Sequence, residues 1–136
     1  MNPEVLIVDD DEVIIYLHKR IISENKFHTS PKGFLSVEES LEYISSNMDH
    51  ERAYIVLLDI NLPSMDGWDF LDYISEHQLS NHILVVMVTS SIDVADKEKA
   101  KLYKQVIDYL EKPVNHEKLD QLKSHQLLAN FYKSET

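Results

Sequence analysis

Five short runs rich in Val, Ile and Leu recur along the chain: Val5 to Val8, Phe27 to Ser30, Tyr54 to Leu58, Ile83 to Val88 and Val106 to Leu110. Longer amphipathic stretches separate them, which is the pattern of strands joined by crossover helices around a parallel sheet. The first, third and fourth runs are almost wholly apolar, as expected of strands covered on both faces, whereas the second is polar and expected at an edge. Ile14, Leu17 and Ile21 follow helical spacing, as do Leu41 with Ile44 and Phe70 with Ile74; Leu119, Leu122 and Leu128 form a broader face. Helix starts agree: Ser36-Val37-Glu38-Glu39 reads as a capping box, Asp93 precedes a fourth helix and Asn115 a fifth. The expected fold is a doubly wound α/β domain, five parallel strands in order 2-1-3-4-5 with helices on both faces.

One domain accommodates the 136 residues, with no internal repeat, low-complexity tract or interdomain linker. Residues 1–133 are expected to form it, with Met48 to Arg52 a polar connection and Ser134 to Thr136 a frayed end. The 13 Lys plus Arg stand against 24 Asp plus Glu, a formal charge of −11. That balance argues against a nucleic-acid backbone as ligand, since only His18-Lys19-Arg20 forms a compact basic cluster. No run approaches the roughly 18 apolar residues a bilayer requires, and Met1-Asn2-Pro3-Glu4 lacks the opening of a secretory signal. A cytoplasmic protein without membrane contact is expected. The absence of cysteine excludes disulfides, thiol nucleophiles and thiolate metal sites. With Gly33 and Gly67 the only glycines, neither a Walker-type loop nor a dinucleotide fingerprint can be written.

Ligands of such sheets bind outside the carboxyl ends of the strands, near the reversal of strand order. The first strand runs into Asp9-Asp10-Asp11, the third into Asp59, the fourth into Thr89-Ser90-Ser91 and the fifth into Glu111-Lys112-Pro113. Two carboxylates a few ångströms apart repel by about 3–4 kcal/mol at an effective dielectric near 20, so the cluster needs cations. Lys112 supplies one charge; Mg²⁺, a hard ion suited to carboxylate, carbonyl and water oxygens, supplies more and leaves positions for a phosphate. The set suggests an aspartyl phosphate, in which one carboxylate attacks while the metal, Lys112 and Thr89 hold the phosphoryl oxygens.

Val5-Leu6-Ile7-Val8-Asp9-Asp10-Asp11, Leu57-Leu58-Asp59-Ile60-Asn61-Leu62-Pro63-Ser64-Met65-Asp66-Gly67, Val86-Met87-Val88-Thr89-Ser90-Ser91 and Tyr109-Leu110-Glu111-Lys112-Pro113 resemble the signature segments of bacterial response-regulator receiver domains. Their order and spacing match across nearly the whole chain. The resemblance implies a flavodoxin-like fold with Asp59 as phosphoacceptor. It implies Asp10 as direct Mg²⁺ ligand, Asp9 as ligand through water, and the Asn61 backbone carbonyl as a further donor. Thr89 and Tyr109 match the switch pair, in which the hydroxyl moves toward the phosphoryl group and the ring turns inward behind it, changing the surface of the fourth helix, fifth strand and fifth helix. Lys112 matches the phosphate-contacting lysine, followed in the family by a cis bond to proline. Asn61 and Ser91 occupy variable positions that influence phosphoryl lifetime. Tyr103-Lys104-Gln105 replaces the small Gly-Ala pair common before the fifth strand. The stretch from Ser36 to Arg52, with Thr89-Ser90-Ser91, resembles the single-domain regulators paired with phytochrome-like histidine kinases.

The resemblance implies a sensor histidine kinase or phosphotransfer protein as donor and a downstream protein as target. A monomer or weak dimer is expected, with Leu127, Leu128 and Phe131 either supporting a dimer or packing on the domain. Self-phosphorylation and autodephosphorylation are expected rather than turnover of an external substrate. Output should pass through another protein, since no DNA-binding or catalytic domain follows Leu128. One alternative is an Mg²⁺-dependent phosphohydrolase of the haloacid-dehalogenase kind, although such enzymes use Asp-x-Asp where this chain has Asn61. Another is an unphosphorylated pseudo-receiver scaffold. Taken singly, the residues have plainer uses: Asp11 as a helix cap, Asp66-Gly67 as a loop former, Thr89 bonding its own backbone, Lys112 as a solvated charge. The seven histidines show no pair at helical metal-ligand spacing and are expected to be ordinary surface or packing residues.

Overall fold

The protein is described by a computed structural model over residues 3–27, 30–47, 52–79, 82–126 and 128. The expectations for residues 48–51 and 134–136, and for His28, His50, Leu127 and Phe131, lie outside them. Strands and helices alternate: β1 (Glu4–Val8), α1 (Glu12–Glu24), β2 (Lys32–Phe34), α2 (Val37–Asn47), β3 (Tyr54–Asp59), α3 (Gly67–Glu76), β4 (Ile83–Thr89), α4 (Val94–Ala100), β5 (Val106–Glu111) and α5 (His116–Lys123). All five strands are parallel in the order β2-β1-β3-β4-β5. Val8 pairs with Leu58, Asp59 with Val88 and Thr89 with Glu111, so the carboxyl ends of the central strands lie level along one rim.

Alternate strand residues face opposite sides. Leu6, Val8, Val56, Leu58, Val85 and Met87 join Leu41 and Ile44 of α2 and Phe70 and Ile74 of α3 in one core cluster. Val5, Ile7, Ile55, Leu57, Val86 and Val88 pack with Ile15 and Ile22 of α1 and with Leu119 and Leu122 of α5. Burial of β3 along its whole length explains why Tyr54 to Leu58 reads as unbroken apolar sequence.

Capping holds the boundaries. Asp11, Asp93 and Asn115 cap α1, α4 and α5 through side-chain bonds to first-turn amides. Asp66 forms a reciprocal capping box with Asp69 at α3. Before α2, Ser36 Oγ accepts from the Glu39 amide at 3.1 Å, the forward half of the expected box.

Two expectations change, and one open alternative, that for Leu128, is resolved. The second strand is Lys32–Phe34, not Phe27 to Ser30. Lys26 turns left-handed at φ 64° and the Phe27 amide closes back on the Ile22 carbonyl, ending α1 while burying the Phe27 ring against it. The strand begins only afterwards, still at the sheet edge, with Gly33 under Ile15 and Lys19 of α1. On α1 the buried stripe is Ile15, His18 and Ile22 rather than Ile14, Leu17 and Ile21. Both sets have helical spacing, and a histidine inside the true stripe makes the neighbouring all-apolar one look like the core face. Leu128 is fully buried in the α1–α5 cluster, so it packs on the domain, beyond the end of α5.

Candidate functional site

The carboxyl ends of β1, β3, β4 and β5 deliver Asp9, Asp59, Thr89 and the segment leading to Lys112 to one rim. Edge strand β2 takes part, because the Phe34 carbonyl accepts from the Asp9 amide at 3.0 Å. Asp9 Oδ1 then accepts from the Asp11 amide at 2.9 Å, and Asp11 Oδ1 from Val13, turning the chain into α1. Asp9 and Asp59 are 3% and 5% exposed, whereas Asp10 faces solvent. One carboxylate oxygen from each of Asp9, Asp10 and Asp59 lies within 4.8 Å of the other two. An all-oxygen set of this kind, with Asp10 exposed to solvent, fits a hard divalent cation such as Mg²⁺.

Lys112 Nζ lies 2.6 Å from Asp9 Oδ2 and 3.1 Å from Asp59 Oδ2, making it a mostly buried counter-ion rather than a solvated charge. Burial pulls its pKa down, but hydrogen bonds and charge attraction from the two carboxylates more than offset this and leave it raised. For Asp59, burial raises the pKa, and Lys112 opposes without cancelling it. Asp59 Oδ1 also accepts from the Asn61 amide at 3.2 Å, bending the chain after β3. Gly67 lies directly under this bend: a Cβ there would meet the Asp59 carbonyl oxygen at 2.8 Å and Ile60 Cα at 3.0 Å.

Thr89 is 3% exposed, and its hydroxyl donates to the Ser91 carbonyl at 3.1 Å. The plainer expectation for this hydroxyl, a bond to its own backbone, describes the state seen. Tyr109 on β5 is 7% exposed, its ring already inward, and its hydroxyl is buried with no hydrogen-bond partner among the described residues. Burial first, then Asp96, raises its pKa. The ring borders a cavity of about 180 Å³ between α4 and β5, alongside Lys97 and Ala100. The replaced Gly-Ala position is also accounted for: Gln105 is buried and its Nε2 donates to Ser75 Oγ at 3.2 Å, while Tyr103 donates to Asp72 at 2.9 Å, tying the α4–β5 turn to α3.

His18 is the residue that sequence reasoning set aside. It is 2% exposed, and its Nε2 accepts from the Val114 amide at 3.1 Å, just past the cis Lys112–Pro113 bond. Burial lowers its pKa to about 4, with Asp9 pulling it up and Lys112 pushing it down. The spacing Ile15, His18, Ile22 was the available signal.

The family model for the response regulator receiver domain matches residues 5–123. The transcriptional regulatory protein HptR of Staphylococcus aureus is 30% identical over 117 residues, which cover 86% of this chain and 43% of that protein. An uncharacterized response regulatory protein of Staphylococcus epidermidis is 29% identical, covering 88% of this chain and 44% of its own length. The chain thus spans less than half of these curated relatives. Among solved structures, a response regulator receiver domain protein from Methanospirillum hungatei is 28% identical with a TM-score of 0.67, covering 94% of this chain and 98% of that one. A two-component response regulator from Cytophaga hutchinsonii shares the fold at a TM-score of 0.81 and 24% identity, over 95% of this chain and 98% of that one. Among the described residues no helix is long and apolar enough to cross a membrane.

Proposed function

The chain belongs to the response regulator receiver domain family, and from that premise we propose that Asp59 accepts a phosphoryl group from a sensor histidine kinase or phosphotransfer protein. Receiver domains generally signal rather than turn over an external substrate. The observation that carries the assignment is the ammonium of Lys112 set between the buried Asp9 and Asp59 carboxylates at the meeting of four strand ends.

In this reading an Asp59 carboxylate oxygen attacks phosphorus as the phosphorus–nitrogen bond of the donor phosphohistidine breaks. The electron pair leaves with the imidazole, which takes up a proton. Asp10, Asp59 and the Asn61 carbonyl would hold Mg²⁺ directly and Asp9 through a water; when bound, the ion neutralises phosphoryl oxygen charge. Lys112 shifts from bridging two carboxylates to contacting a phosphoryl oxygen, a preorganised cation that needs little rearrangement. Thr89 exchanges its bond to Ser91 for one to the phosphoryl group. Because the Tyr109 ring is already inward, the movement that remains is that of the Thr89 loop and of α4 against the cavity beside Tyr109. The surface of α4, β5 and α5 is then what a downstream protein reads.

The direct test is intact mass after incubation with acetyl phosphate and Mg²⁺, for wild type and Asp59→Ala, with an EDTA control. One base-labile phosphoryl group that requires both Mg²⁺ and Asp59 is expected. No adduct, together with no beryllofluoride binding, would instead identify a pseudo-receiver scaffold, and multiple turnover of phosphate esters would identify a phosphohydrolase.

A further inference from the structure

We propose that His18 is a positioning residue for Lys112, acting by accepting the Val114 main-chain hydrogen bond and so fixing the turn that carries the ammonium. The inference rests on the phosphoacceptor reading of Asp59. Pro113 has no N–H, so the Lys112–Pro113–Val114 turn has two main-chain donors. The Lys112 amide bonds the Thr89 carbonyl at 2.7 Å, tying the turn to β4. The Val114 amide bonds His18 Nε2 at 3.1 Å, tying the other side of the turn to α1. Helix α1 starts from the acidic loop itself, with Asp11 as its cap, so one rigid element spans from the Asp9–Asp11 loop to the lysine turn. Lys112 then reaches back to Asp9 Oδ2 at 2.6 Å, closing a ring of contacts through β1, α1 and the turn.

A residue that only filled space here would be apolar. Val114 and His18 are both 2% exposed, so a leucine at 18 would preserve packing while stranding a buried N–H, which proteins avoid. The imidazole provides what the packing does not need, a lone pair aimed at one amide. Acceptance by Nε2 requires the neutral ring to carry its proton on Nδ1. Small displacements at reacting groups cost rate steeply, so loss of this anchor acts on phosphoryl transfer through the placement of Lys112 Nζ.

The experiment measures phosphorylation rates with acetyl phosphate and saturating Mg²⁺ for wild type, His18→Leu, His18→Gln, Lys112→Ala and the double variant His18→Leu/Lys112→Ala. His18→Leu should slow phosphorylation roughly tenfold or more. His18→Gln, whose Oε1 reaches the same point, should stay within about twofold of wild type. On the Lys112→Ala background the His18→Leu effect should vanish, because the group it positions is gone. An unreactive wild type overturns the phosphoacceptor reading of Asp59, and this inference with it. A reactive wild type with an undiminished His18→Leu rate overturns this inference alone, as does an equal further slowing in the Lys112→Ala background or a failure of glutamine to rescue. Should His18→Leu not fold, the ring tautomer in the wild type decides, read from ¹⁵N shifts: a proton on Nδ1 supports the role, and a proton on Nε2 overturns it.

Discussion

At the scale of single residues, the site is a balance of buried charge. Burial raises the Asp59 pKa, so the ionised carboxylate costs stability once pH rises through its folded pKa. Asp59→Ala should therefore lose phosphorylation while unfolding in urea at pH 7 no earlier than wild type; a large drop in the midpoint would contradict the charge argument. Lys112→Ala removes the cation that bridges Asp9 and Asp59 and that would compete with the proposed Mg²⁺ for them. Phosphorylation should slow on the order of 10²-fold, as for loss of a preorganised oxyanion partner. Mg²⁺ affinity, measured by titration, should rise on the order of tenfold, because one unit of local repulsion is lost. His18 carries a separate pH signature. Its folded pKa of about 4 lies below the ordinary 6.5. Above pH 6.5 both folded and unfolded chains leave the ring neutral, and between 6.5 and about 4 only the unfolded chain takes the proton, so stability is lost as pH is lowered through that window. The loss amounts to about 3 kcal/mol. His18→Gln, which cannot titrate, should flatten that part of the stability curve; parallel curves for the two proteins would count against a buried neutral imidazole.

Elements place these residues through backbone proximity that few side chains tolerate. Gly33 on β2 lies against Ile15 and Lys19 of α1, and β2 in turn holds the Asp9 amide through Phe34. Gly33→Ala should cost about 1–3 kcal/mol as α1 and β2 separate, and weaken Mg²⁺ binding by disturbing Asp9. Gly67 does the same for Asp59, with main-chain atoms rather than a flexible side chain in the way. At this scale the sequence was legible where one period dominates. β1, β3 and β4 are buried on both faces and announce themselves as apolar runs. β2 spans three residues, with Lys32 exposed and Gly33 lacking a side chain, so it carries no pattern to read, and the neighbouring Phe27 is apolar for a different reason, as a plug under the end of α1. The stripe of α1 was misplaced by one residue because His18 interrupts it.

Over the whole molecule, the proposed signalling would require that chemistry at the rim reach the α4–β5–α5 surface. The Thr89 hydroxyl is held by Ser91, whereas the Tyr109 hydroxyl lies near the Asp93 main chain without a well-formed hydrogen bond among the described residues, beside a cavity next to little-buried α4, where Ala100 is the one buried residue. Thr89→Ala should therefore still take up a phosphoryl group but leave the amide shifts of α4 and β5 near their unphosphorylated positions; wild-type-like shifts on phosphorylation would separate Thr89 from the switch. The amino-acid order by itself determined the alternation of strands and helices, the strand order it implies, and the arrival of Asp9, Asp10, Asp59, Thr89 and Lys112 at one rim, because period and motif are local properties of a chain. Only the tertiary structure decided where the edge strand lies, that Lys112 bridges Asp9 and Asp59, that the Tyr109 ring is already inward, and that His18 meets Val114 from 96 positions away. Those depend on which groups share a buried volume, and a hydrogen bond between distant residues leaves no periodic trace in the sequence.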